Sequence, residues 1–230
     1  MSNLQADLSG RAALVTGAGA GSGRAIALAL AANGASLAVN DLNIERADAV
    51  AEAIRADGGC AVPLGADISN RFQTANMIER ARDAFGGLDI LVNAAGIFHP
   101  EPMLTVDEWN WRRQIEVNIT GAFFCTQLVG RVMADEGGGS MINLSAVEAC
   151  RASLPQGIGY IASKAAIIGM TRQAARELAP HHIRVNCIAA GSTEGAESSI
   201  AGAALYLCSD AAKSISGQVI VVDSDSAMQR

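Results

Sequence analysis

The sequence predicts a doubly wound α/β domain: a parallel sheet of seven strands with helices on both faces. Three observations carry this. Short aliphatic and β-branched runs alternate with longer helical stretches along the 230 residues, the signature of a parallel sheet covered by helices. Glycine or Asn-Gly punctuation closes the helical stretches. The length suits one large domain, and no linker, internal repeat or low-complexity segment divides it.

Ala12–Thr16 is the first expected strand because its aliphatic run leads straight into a glycine turn, and Arg24–Asn33 is the first helix, closed by Asn33-Gly34. Ser36–Asn40 follows as a strand, then Ile44–Asp57 as a helix ended by Asp57-Gly58-Gly59. Ala61–Leu64 precedes the helix Arg71–Phe85, which stops at Gly86-Gly87. After the strand Ile90–Asn93, a helical pattern with a break covers Val106–Asp135, and three glycines then introduce the strand Ser140–Leu144. The helix Tyr160–Leu178, the strand Arg184–Ile188, the helix Ser199–Cys208 and the strand Val219–Val222 complete the set.

Composition excludes several classes of function. Half of the residues are hydrophobic but only 4% are aromatic, which suits close helix-on-sheet packing better than an aromatic binding face. A net charge of −6 offers no footprint for nucleic acid or anionic membranes. Met1 to Ser9 lacks the basic start and apolar run of a secretory signal, and no apolar stretch is long enough to span a bilayer, so a cytoplasmic location is expected. Cys60, Cys125, Cys150, Cys187 and Cys208 are odd in number and scattered, and His99, His181 and His182 have no metal-ligand spacing, so no metal site is expected.

The first strand runs into Gly17, Ala18, Gly19, Ala20, Gly21, Ser22 and Gly23, after which a helix opens. That context suits a phosphate-binding turn, since glycines let backbone approach a ligand and unpaired amides at a helix start favour anionic pyrophosphate. Near the end of the second strand stands Asp41, whose carboxylate can accept hydrogen bonds from the adenosine ribose hydroxyls and would repel a 2′-phosphate. Ala20, Asn40 and Leu42 supply no cation there, so NAD is the expected cofactor. A cap of the following helix is the alternative role for Asp41.

Tyr160 and Lys164 lie one helical turn apart and share a helix face. A neighbouring ammonium, with a cationic nicotinamide, is expected to lower the phenol from its reference pKa near ~10. Tyr160 then takes a proton from an alcohol, or in reverse gives one to a carbonyl, while the nicotinamide carries the hydride.

The Thr16–Gly23 turn, Asp67-Ile68, Asn93-Ala94-Ala95-Gly96, Asn118-Ile119-Thr120-Gly121, Tyr160 with Lys164, and Arg184–Ile188 occur together and in order. In this the chain closely resembles the short-chain dehydrogenase/reductase family. The resemblance implies a Rossmann-type dinucleotide fold. It implies adenine contacts for Asp67 and Ile68, and a cofactor-lining, sheet-stiffening element in Asn93, Ala94, Ala95 and Gly96. Asn93 can equally serve only to cap its neighbours. It further implies a helix kink and a relay water at Asn118, and a grip on the nicotinamide ribose for Lys164. Relatives commonly form homo-tetramers or homo-dimers, and an oligomer is expected here.

The sequence leaves the family pattern at three places. The fifth strand ends in Ser145-Ala146 where the family carries two polar residues, the second of which orients the substrate oxygen. Ser145 replaces it only if a bulge shifts the strand, and loss of that one hydrogen bond costs on the order of 10²-fold in rate. After the sixth strand the family's Pro-Gly is Ala190-Gly191, and Ser192-Thr193-Glu194 runs almost at once into the next helix, without the usual helical substrate lid. Either the site is open, or the chain as given lacks a segment. Ser224 and Asp225 replace two customary glycines at the end.

The leading expectation is an NAD-dependent enzyme interconverting a secondary alcohol and a ketone. The alternative is a dinucleotide-binding protein with weak or lost catalysis, acting as a sensor or assembly partner; Ala146 and the missing lid motivate it. A cofactor-independent lyase or dehalogenase on the same fold is third, opposed by the glycine turn and Asp41. Glu148, Arg151 and Ser153 follow the fifth strand and are candidate substrate contacts, with ordinary loop solvation as the alternative.

Overall fold

Seven parallel strands form one sheet in the order β3-β2-β1-β4-β5-β6-β7. They are β1 (Ala12–Thr16), β2 (Ser36–Asp41), β3 (Ala61–Gly65), β4 (Ile90–Asn93), β5 (Gly139–Ala146), β6 (Ile183–Ala190) and β7 (Val219–Val222). The computed structural model describes residues 6–151, 154–191 and 195–223. The helices are α1 (Gly21–Ala32), α2 (Ile44–Ala56), α3 (Arg71–Phe85), α4 (Glu108–Ile115), α5 (Ala122–Glu136), α6 (Val147–Arg151), α7 (Ile158–Leu178) and α8 (Glu197–Cys208).

The central strands of the sheet are buried on both faces because they are largely apolar, as in β1, where every residue is buried. Ala13 and Val15 join the core beneath α1, α2 and α8. Ala12 and Leu14 join the opposite core, beneath α3, α5 and α7. The period of two in side-chain direction thus divides one strand between two hydrophobic layers.

The expected elements are present, β1, α3, β4 and β7 with the expected bounds and the others with shifted ends. The first helix starts at Gly21 rather than Arg24, so the end of the glycine turn is its first turn. The broken helix over 106–135 is three pieces: α4, a π-helical segment Glu116–Gly121, and α5. The π turn is the break, an irregularity that often marks functional sites. The short α6 has no counterpart among the sequence-based expectations, since five residues carry no helical period to read.

A line of polar side chains crosses the interior. Asn93 Nδ2 donates to Asn143 Oδ1 (2.8 Å) and Thr126 Oγ1 (3.0 Å), and Asn143 Nδ2 donates to Thr171 Oγ1 (2.9 Å). It ties β4 and β5 to both α5 and α7.

Candidate functional site

The strand order reverses between β1 and β4, where open α/β sheets bind ligands at the carboxyl ends of their strands. A cleft of about 670 Å³ lies there, lined at one end by the glycine turn and Asp41 and at the other by Ser145, Tyr160 and Lys164.

At the glycine turn, backbone approach sets the residue type. Gly17 has φ +63°, and a Cβ there would stand 2.6 Å from the Ala95 Cα. A Cβ on Gly23 would collide with the Gly17 carbonyl oxygen. The turn therefore packs against 94–96 only without side chains. Ala20 is the N-cap of α1, no side chain caps the helix, and its first turn holds no acid. Gly17, Ala20, Gly21, Ser22 and Gly23 line the cleft at this uncapped start, so its donors and partial positive charge fit a pyrophosphate.

Asp41 closes β2 with both carboxylate oxygens engaged. Oδ2 accepts the Gly19 N–H (3.1 Å) and Oδ1 accepts the Asn43 N–H (2.9 Å). Gly19 serves the site through this bond and is not itself among the lining residues. Leu42, Asp67 and Ile68 complete the wall. Arg113 reaches Asp67 Oδ2 at 2.9 Å, and Ser69 donates to Oδ1 from both backbone and hydroxyl. Burial pushes the Asp67 carboxyl up, but the bonds from Ser69 and Arg113 outweigh it and hold the group below its usual range.

The opposite wall comes from α7. Lys164 is 5% exposed, its Nζ donates to the Leu144 carbonyl (2.9 Å), and it lies 5.7 Å from the centroid of the Tyr160 ring. Burial brings the ammonium down to about 8. The Tyr160 phenol is pushed up, by burial first and by the Glu148 charge second. Among the chain's own groups, burial and the Glu148 carboxylate thus set the direction for the phenol; the lowering expected from the sequence also draws on the cationic nicotinamide. Phe98 packs on Tyr160 with centroids 5.1 Å apart.

Ser145 lines the cleft, but its hydroxyl donates to the Lys164 carbonyl (2.8 Å). The ladder from Gly139–Ile183 to Ala146–Ala190 is continuous, so the bulge needed to re-aim Ser145 does not occur. Ala94, Ala95, Gly96 and Gly191 also line the cleft, whereas Asn93 and Asn118 do not. Asn93 belongs to the polar line across the interior. Asn118, in the π segment, accepts the Ile97 N–H (2.7 Å) and donates to the Ile97 carbonyl (2.9 Å) and Ser163 Oγ (3.0 Å). Ser192, Thr193, Glu194, Ser153, Ser224, Asp225 and the Arg151 side chain lie outside the described residues.

Four further residues were not singled out from the sequence. Arg46 lines the cleft beside Asp41, and Arg113 lines it beside Asp67. Phe98 covers Tyr160, and the buried Gln114 holds the backbone of His99. A signal existed for Arg46, which stands one turn into the helix after Asp41; the other three needed tertiary contacts. Among the described residues, no group of three or more His, Cys, Asp or Glu is placed to hold a metal, and no helix is long and apolar enough to cross a membrane.

A family model described as short chain dehydrogenase matches residues 11–202. The 3-oxoacyl-[acyl-carrier-protein] reductase FabG of Staphylococcus aureus is 37% identical over 238 residues, covering 93% of this chain and 96% of the relative. A crystal structure of a putative short-chain alcohol dehydrogenase from Sinorhizobium meliloti is 40% identical with a TM-score of 0.90, covering 94% of this chain and 96% of that one. A 7α-hydroxysteroid dehydrogenase complexed with NADH and 7-oxo glycochenodeoxycholic acid is 34% identical with a TM-score of 0.89, covering 94% of each. The 238-residue alignment is longer than this chain's 230 residues, so the Staphylococcus relative has residues without a counterpart here.

Proposed function

Because the chain belongs to the short-chain dehydrogenase family, we propose that it transfers a hydride between NAD(H) and a secondary alcohol or ketone, with Tyr160 as general acid/base. The observation that carries this reading is the single cleft shared by the uncapped glycine turn and the Tyr160–Lys164 pair. The bound dinucleotide supplies the hydride chemistry. Gly17 and the start of α1 hold its pyrophosphate, Asp41 its adenosine ribose, Asp67 and Ile68 its adenine, and Lys164 its nicotinamide ribose. Tyr160 Oη receives the alcohol proton or donates to the carbonyl oxygen. Asn118 fixes the wall beneath Ile97, which keeps Gly96 and Lys164 in place.

NAD is favoured by the Asp41 carboxylate, and the steroid dehydrogenase relative holds NADH with a keto steroid. We assign the protein to a single catalytic domain acting in the cytoplasm as a homo-dimer or homo-tetramer. The exposed Trp109, Trp111 and Phe123 around the π segment support association there. A second reading, a dinucleotide-binding sensor with weak catalysis, is favoured by Ala146 and by the commitment of the Ser145 hydroxyl to Lys164.

NADH fluorescence titration, followed by a diketone panel on the protein and its Tyr160→Phe variant, tests these readings. Binding with turnover that falls about 10²-fold or more in the variant supports the dehydrogenase. Binding without turnover supports the sensor, and absence of binding rejects both.

A further inference from the structure

Lys164 and Lys213 are the only lysines in the sequence, and their surroundings are opposite. Lys213 is exposed and pairs with Asp210 at 3.1 Å. Lys164 lies in the cleft wall with 5% of its surface exposed. Of its three N–H donors one has a partner among the described residues, the Leu144 carbonyl at 2.9 Å, and no carboxylate pairs with it there. An ammonium enclosed without a counter-charge loses hydration that nothing replaces, which favours the neutral amine. Burial accordingly brings it down to about 8. The titratable groups facing it are Tyr160 on its own helix and the Cys187 thiol of β6, both pushed up by burial and so uncharged at neutral pH. From β5 and the π segment it meets Leu144 and Asn118, which do not titrate, and Glu148 of α6 acts on Tyr160. Gly96 keeps the amine approachable, since a Cβ there would stand 3.2 Å from Nζ.

We propose that Lys164 is a covalent carbonyl-binding site, whose Nζ condenses with small uncharged aldehydes to form an imine when no dinucleotide covers it. This goes beyond hydride transfer and needs neither cofactor nor oxidant. A lysine desolvated in an apolar wall is the activated form of this nucleophile. Its lone pair attacks the carbonyl carbon, and a proton passes from nitrogen to the carbonyl oxygen to give a carbinolamine. Tyr160, whose ring centroid is 5.7 Å from Nζ, donates a proton as the hydroxyl departs as water and recovers one from the iminium nitrogen. The net change is a C=N bond in place of the C=O bond, with one water released and nothing oxidised or reduced. Ile97, Phe98 and Leu144 in the same wall suit an apolar aldehyde, and the Glu148 charge disfavours an anionic one.

Pentanal with sodium cyanoborohydride at neutral pH, followed by peptide mass mapping of the intact chain, tests this. The reagent's hydride fixes each imine as an added pentyl group, and the Met1 α-amine is resolved as a separate peptide. Lys164 is expected to be alkylated about tenfold or more faster than Lys213, since each unit by which an amine pKa falls raises its neutral fraction about tenfold. Saturating NADH slows labelling at Lys164 alone, and Tyr160→Phe slows it without changing Lys213. Labelling of Lys164 no faster than that of Lys213, in protein with a folded circular dichroism spectrum, overturns the proposal, and an unchanged rate in Tyr160→Phe overturns the proton step assigned to Tyr160. Fast labelling of Lys164 in a chain that does not bind NADH upholds the imine site and overturns the dinucleotide reading alone.

Discussion

Gln114 pairs with both main-chain groups of His99: the His99 N–H donates to Oε1 at 3.1 Å, and Nε2 donates to the His99 carbonyl at 3.4 Å. One helical turn later, Asn118 does the same for Ile97. Two amides spaced i and i+4 on a helix thus meet backbone spaced i and i+2 in an extended segment. Between the two anchored residues stands Phe98, packed on Tyr160.

Replacing Gln114 with Leu removes this clamp at near-constant volume. The main-chain groups of the half-buried His99 lose their partner, a cost of about 1 kcal/mol, readable as a lower urea midpoint. Because Phe98 rests on the same segment, turnover is expected to fall more than cofactor affinity does. Equal stability and unchanged kcat in the variant would remove the clamp from the account.

Lys164 makes stability depend on alkaline pH. Its ammonium is lowered by burial from 10.5 to about 8, so between those values the unfolded chain binds more protons than the folded one, and this residue's contribution to stability rises with pH. The buried thiols of Cys125, Cys187 and Cys208, pushed up from 9.0 to about 12, act with opposite sign and lower stability above pH ~9. The difference between the protein and Lys164→Met isolates the first effect. It should shift in favour of the protein as pH rises from about 8 to 10.5, as measured by denaturation at each pH.

Glu148 is the second cause, after burial, that holds the Tyr160 phenol up. Glu148→Gln removes a negative charge that opposes phenolate formation. In the direction of alcohol oxidation, where Tyr160 must accept a proton, the alkaline-activated limb of kcat/KM is expected to move to lower pH. A limb that stays in place would mean that the two residues are not coupled in the working enzyme.

Gly17→Ala combines a strained φ with a Cβ at 2.6 Å from the Ala95 backbone. The turn and the 94–96 segment must separate, and dinucleotide affinity is expected to fall at least tenfold. NADH titration reads the loss directly, and a circular dichroism spectrum like that of the unchanged protein shows that it is local to the turn.

The layers of the fold were legible in the sequence because most strands are short, largely apolar runs and α1, α2, α3 and α5 end at Asn-Gly, Asp-Gly or glycine. The ends of Tyr160–Leu178 and Ile44–Asp57 moved by at most two residues. What the sequence does not disclose is direction. Asn93 reads as a cofactor-lining residue, yet its side chain turns into the interior, because strand alternation assigns a face only once the neighbouring strands are known. Arg46 and Arg113 read as ordinary helix-surface cations, and only the packing of α2 and α4 on the strand ends brings them to the cleft. The sign of the Tyr160 shift was likewise hidden, since desolvation depends on how deeply Phe98 and the sheet enclose the ring.

The polar line from Thr126 through Asn93 and Asn143 to Thr171 has a mechanical meaning. It fastens the helix that follows the π segment and the helix bearing Tyr160 to the same two strands, so these four elements are expected to open together, and distortion on ligand entry is expected at the other shore of the cleft, the glycine turn and α2. In native-state hydrogen exchange, the amides of β4, β5, α5 and α7 should form one slow cooperative unit.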